Sequence, residues 1–153
     1  MGSRQPQPQR HELSLAATPA TERRLLQGAV ALACLVPLTA GGAGVVEGAA
    51  MAGGEGGANL DSHFRYLSGL LLGLGLAFAA IIPSIERRSL LFRTLGGIVF
   101  VGGLARLLSA VAIGLPGPGH VFGLAMELVV VPLLILWQGR VARRFANEPG
   151  LTR

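Results

Sequence analysis

"GGLARLLSAVAIG" occupies residues 102–114 and carries a single charge, Arg106. If the stretch crosses a membrane, that arginine needs a partner. An unpaired charge near the bilayer centre costs about 2.5–3.5 kcal/mol on insertion scales, and less near the interface. The surroundings favour the membrane reading. Hydrophobic residues make up 51% of the 153-residue chain and charged residues only 14%, whereas a soluble domain carries about a quarter charged residues. The apolar residues are gathered into long runs separated by short polar pieces, which is the pattern of membrane spans.

Working outward, "GGLARLLSAVAIG" is the end of a run over about 90–113. "GLPGPGH" at 114–120 follows it as a tight turn, forced by two prolines and three glycines. The next run is "HVFGLAMELVVVPLLILWQ", about 120–138, with Trp137 placed as an interfacial anchor and Pro132 freeing one backbone carbonyl. Before the central stretch lies a run over about 61–82, "DSHFRYLSGLLLGLGLAFAAII", stopped by Pro83. "EGAAMAGGEGGANLDS" at 47–62 reads as a flexible loop. The earliest run is "LLQGAVALACLVPLTAGGAGVV", about 25–46, with Pro37 as a kink point. At 1.5 Å per residue, a run of this length crosses a core of about 30 Å. A cleaved signal peptide is the weaker reading of this first run, because a long polar stretch precedes it and the chain stays apolar after it.

The expected architecture is therefore all-α: one integral membrane four-helix transmembrane bundle over 25–139. Residues 1–24 read as a disordered cytoplasmic tail and 140–153 as a basic cytoplasmic tail. All thirteen basic residues are arginines, and the net charge is +5. They flank apolar runs and form no solvent-facing stripe with interleaved aromatics, which argues against a nucleic-acid partner. Arg23 and Arg24 precede the first run, Arg87, Arg88 and Arg93 surround the second connection, and Arg140, Arg143 and Arg144 follow the last. The positive-inside rule then puts both termini in the cytoplasm. The single cysteine, Cys34, excludes an internal disulfide and a cysteine-based metal site. No phosphate loop, nucleophile elbow or paired metal motif is present.

With that topology, Arg65, Arg106 and Glu127 all fall within roughly 6–11 Å of the outer edge of the bilayer. Asp61 and His63 lie nearer the surface. Each charge shares a helix face with small residues. The second helix groups Asp61, Arg65, Ser68, Gly69 and Gly73. The third groups Gly102, Gly103, Arg106 and Ser109, and the fourth His120, Gly123 and Glu127. Small residues let helices approach closely, so these faces point into the bundle. Arg106 is expected to face Glu127, and Arg65 either Asp61 or Glu127. The candidate polar cluster is Asp61, Arg65, Arg106, Ser109 and Glu127, with His63 and His120 at its rim and no metal, cofactor or catalytic residue assigned.

Three stretches, "LDSHFRYLSGLLLGLGL" (60–76), "GGIVFVGGLARLLSAVAIGLP" (96–116) and "ELVVVPLLILWQ" (127–138), in this order and spacing, resemble the bacterial domain of unknown function 4345 family. Its members are small four-helix integral membrane proteins. The resemblance covers about 60–140. It implies the four-helix fold and maps the family pattern onto Arg65 and Gly69, onto Gly102, Gly103, Arg106 and Ser109, and onto Glu127. It brings no established activity.

Two roles compete for the cluster. It is either a staple that sets the register of the bundle or the lining of a site for a small anionic or lipid-like molecule. A membrane enzyme acting on a lipid or isoprenoid, with Glu127 or Asp61 as proton donor, is a third reading. A carrier is disfavoured because the inner half offers only Gln27 and Thr94 as polar groups. The bilayer itself is the one expected partner, in a bacterial inner membrane, and the oligomeric state is left open.

Overall fold

The structure, a computed structural model, describes residues 18–53 and 57–147. The remainder of the two expected tails, 1–17 and 148–153, and loop residues 54–56 lie outside the described residues. The chain forms α1 (Pro19–Glu47), a 3₁₀ segment (Gly48–Ala52), α2 (Ala58–Ile81), a second 3₁₀ segment (Ile82–Arg87), α3 (Ser89–Ile113) and α4 (Pro118–Ala146). All four helices are long and apolar enough to cross a membrane.

Both outer ends correct the expected boundaries. Helix α1 begins at Pro19, so residues 19–24 are helical and not part of a disordered tail. The local chemistry explains this. Thr18 caps the helix through its hydroxyl, which accepts from the Thr21 N–H, and Pro19 fits the first helical position because its missing N–H would be unbonded there anyway. Helix α4 likewise runs on to Ala146, through part of the stretch expected to be a basic tail.

Helices α1 and α2 pack most closely. A Cβ on Gly41 would lie 2.6 Å from the Leu72 backbone nitrogen, and one on Gly44 would overlap the Ser68 hydroxyl. Pro37 sits inside α1 without ending it, and its ring packs on Gly75. The expected pair Gly69 and Gly73 lies elsewhere: Gly73 is open and Gly69 barely reaches Val45. Helices α3 and α4 pack through Gly96 against Ile135 and through Gly103 against Glu127 and Leu128.

Helix α4 contains one π-helical turn, Met126–Val130. Pro132 accounts for it. A proline cannot donate to the carbonyl four residues back and its ring clashes with it, so the chain widens the turn just before it.

The shared core lies at one end of the bundle. Leu26, Val30, Cys34, Ile81, Ile85, Phe92, Leu95, Leu134 and Val141 form it, with Phe92 edge-on to Phe78. This is the end that holds the start of α1, the α2–α3 connection and the end of α4, and we call it the arginine-rich end. Toward the opposite end the two hairpins part. No residue from Pro118 to Val130 is buried, and an apolar groove of about 450 Å³ opens between α1 and α4. Its walls include Leu32 and Val36 on α1 and Phe122 and Met126 on α4. Val111, Ile113 and Leu115 are each more than three-quarters exposed. Soluble monomers rarely expose apolar patches larger than a few hundred Å², so a surface like this calls for a hydrocarbon solvent.

Candidate polar site and its counterpart

The π turn and Gly103 together set the first polar pair. Gly103 lets α4 come close enough that Glu127 sits against α3, and the π turn carries Glu127 on that side. Arg106 then grips Glu127 with both arms of its fork: Nε donates to Oε2 and Nη2 to Oε1, each at 3.1 Å. Bidentate arginine–carboxylate pairs of this kind are among the stronger polar contacts in proteins. His120 adds a longer contact, its Nδ1 lying 3.4 Å from Arg106 Nη1, and Gly123 leaves room for the guanidinium.

Arg65 belongs to the other hairpin. Its Nε donates to Asp61 Oδ2 at 2.8 Å, one turn away on the same helix. Its Nη1 donates to the carbonyls of Val45 and Val46, at the end of α1. The second Asp61 oxygen accepts from the Ala49 N–H at 3.0 Å. Gly48, at φ +62, makes the turn that brings these carbonyls to Arg65, and its own Cβ position is filled by Asp61 and Arg65 atoms. Arg65 and Asp61 thus satisfy the open C-terminal end of α1.

The expected single cluster is therefore two separate pairs, one per hairpin. Among the described residues no hydrogen bond or ion pair links Asp61 or Arg65 to Arg106 or Glu127. Ser109 and His63 are exposed and make no side-chain hydrogen bond among the described residues, and Gly102 faces open space. No group of three or more metal-ligating side chains occurs among the described residues.

The opposite end holds a network that the sequence reading missed. Glu22 is buried, and its two oxygens take Arg140 at 3.2 Å and Arg144 at 2.7 Å, joining the start of α1 to the end of α4. Glu86 takes Arg23 at 2.9 Å, and Arg23 also donates to the Pro83 carbonyl and lies over the Phe145 ring. Gln138 is fully buried. Its amide nitrogen donates to the Ile85 carbonyl and to the Ser89 hydroxyl, both at 2.8 Å. Gln27 donates to the Ile82 carbonyl at 2.8 Å. The half expected to offer only Gln27 and Thr94 is thus the more polar one. The missed signal was the Thr18–Pro19 helix start, which places Glu22 inside α1.

The family model described as "Domain of unknown function (DUF4345)" matches residues 25–138, which take in most of α1, all of α2 and α3, and α4 as far as Gln138. No curated protein and no solved structure matches the chain.

Proposed function

The chain belongs to the family described as domain of unknown function 4345, and on that premise we propose that it is a non-enzymatic multi-pass membrane protein whose outer polar residues are staples. Its arginine-rich end faces the cytoplasm, with both termini on that side. Arg23, Arg24, Arg87, Arg88, Arg93, Arg140, Arg143 and Arg144 all fall there, which is the bias that the positive-inside rule reads.

One observation carries the staple reading: each outer arginine already has its carboxylate within its own hairpin. Arg106 spends its fork on Glu127, and Arg65 spends its donors on Asp61 and two carbonyls. A dedicated site for an anionic ligand would leave the guanidinium without a carboxylate of its own. A general acid needs a carboxyl free to give up a proton beside a cleft. Neither is on offer at these pairs.

The groove between α1 and α4 supports a second reading. It is apolar, opens sideways and suits an acyl or isoprenoid chain more than a polar solute.

The test compares Arg106→Met, Glu127→Gln and the double variant in detergent. The single variants are expected to lose about 1–3 kcal/mol, because each leaves a charge-assisted bond half made. The double variant is expected to recover part of the loss. Unchanged stability together with loss of a co-purifying anionic molecule would overturn the staple reading.

A further inference from the structure

At the arginine-rich end, two guanidinium groups converge from different helices with no carboxylate paired to either among the described residues. Arg93, in the second turn of α3, and Arg143, near the end of α4, both close over Gly139. The point where a Gly139 side chain would begin lies 3.2 Å from Arg93 Nη2 and 3.8 Å from Arg143 Nη1. Among the described residues neither arginine makes an ion pair or a side-chain hydrogen bond. Of the other arginines at this end, Arg140 and Arg144 are held by Glu22, and Arg23 and Arg87 by Glu86, while Arg24 and Arg88 are exposed and face no second arginine of this kind. Two like charges held this close repel unless an anion sits between them.

We propose that Arg93 and Arg143 form a headgroup site for an acidic phospholipid, whose phosphate bridges the two guanidiniums over Gly139. A phosphate diester presents oxygens that suit two planar forks, and glycine keeps the floor of the site clear. The membrane is the source that fits the surroundings. From this pair toward the bilayer centre the same helices present exposed apolar surface: Gly97 and Val101 on α3, Leu133 and Leu136 on α4. An acyl chain attached to the phosphate would lie along it. The rest of this end selects for net negative lipids. A zwitterionic headgroup would bring its own cation among a ring of arginines, whereas an acidic one brings none. The first turn of α3 also has no side-chain cap, so its free N–H groups add to the positive field beside Arg93.

The experiment uses the full chain, purified and exchanged into detergent with an equimolar mixture of phosphatidylglycerol and phosphatidylcholine. Lipid retained per chain is read by native mass spectrometry. The wild type is expected to keep phosphatidylglycerol in preference to phosphatidylcholine. The double variant R93Q/R143Q is expected to retain about tenfold less. The variant R24Q/R88Q, which removes the same charge from exposed arginines at the same end, is expected to retain it as the wild type does. Melting curves in lipid-free detergent check that both variants are folded. Equal loss in both variants would mean diffuse surface charge and no site. Retention in R93Q/R143Q would remove the two arginines from the binding. Inorganic phosphate at millimolar concentration provides the last arm: if it displaces the lipid fully, the site is one for free phosphate and the lipid assignment fails.

Discussion

Gly41 is the position where one added methyl group should matter most. Its ideal Cβ falls 2.6 Å from the Leu72 backbone nitrogen and 2.9 Å from both the Leu72 Cα and the Ser68 carbonyl oxygen. These are backbone atoms, so no side chain can swing aside. Gly41→Ala therefore has to push α1 and α2 apart by on the order of 1 Å to restore ordinary contact distances, and a gap of that size forfeits a quarter to a half of each dispersion contact along the seam. Forced overpacking costs about 1–3 kcal/mol. Replacing a helical glycine by alanine returns at most about 1 kcal/mol. The expected net effect is a loss of about 1–2 kcal/mol, and more for Gly41→Leu.

The control is Gly73→Ala. Gly73, on α2, forms a G-x-x-x-G pattern with Gly69, but nothing lies within 4 Å of its Cβ position. It should match the parent or gain up to about 1 kcal/mol, because only the helix-propensity gain applies there. Unfolding in mixed micelles by titration with a denaturing detergent measures both. If Gly41→Ala proves as stable as Gly73→Ala, the α1–α2 seam is not packed as described, and the account of how the hairpin closes fails with it.

Two further outcomes are expected. Gln138→Leu keeps the volume of a fully buried side chain but takes a donor from the Ser89 hydroxyl and leaves the Ile85 carbonyl only the longer bond from the Arg88 N–H; a loss of about 1 kcal/mol in the same titration is expected, against a smaller loss for Thr94→Val, whose hydroxyl bonds only to its own helix. Pro132→Ala restores the missing N–H and should let the π turn relax toward α-helix, swinging residue 127 away from α3. The ion pair reads this: Arg106→Met should cost less in a Pro132→Ala background than in the parent, because the pair is already loosened there.

The parts of this molecule legible in the sequence are those governed by runs and by depth. The four spans follow from the long apolar runs, and the Arg106–Glu127 pair follows from equal depth on two consecutive helices joined by a tight turn. The Arg65–Asp61 pair needed only a spacing of four on one helix. What was not legible depends on which face meets which neighbour. Gly41 and Gly44 sit in a glycine-rich stretch that looks like a loosened helix end, yet they form the tightest helix contact, while the more conspicuous Gly69 and Gly73 face outward. Nothing in the spacing of either set says which partner it meets. Glu22 was hidden for a different reason. The polar composition of residues 1–24 suggested a tail, and this outweighed a helix-start signal of Thr18 followed by Pro19.

The two ends of the bundle differ in how far apart in sequence their polar partners lie, and this governs how the molecule can move. At the arginine-poor end each ion pair is internal to one hairpin: Arg65 with Asp61, and Arg106 with Glu127. At the arginine-rich end the bonds cross between hairpins. Glu22 of α1 holds Arg140 and Arg144 of α4, and Gln138 of α4 holds the carbonyl of Ile85 in the α2–α3 connection. Separating the hairpins at the arginine-poor end therefore breaks no polar bond among the described residues; it costs only the dispersion contacts across the groove, which lipid tails can replace. Separating them at the arginine-rich end strands a buried carboxylate and a buried amide, each of which would cost several times more than one exposed pair. The arginine-rich end is thus the fixed end and the groove end the compliant one, and any molecule seated between α1 and α4 enters from the side where the bundle yields most easily.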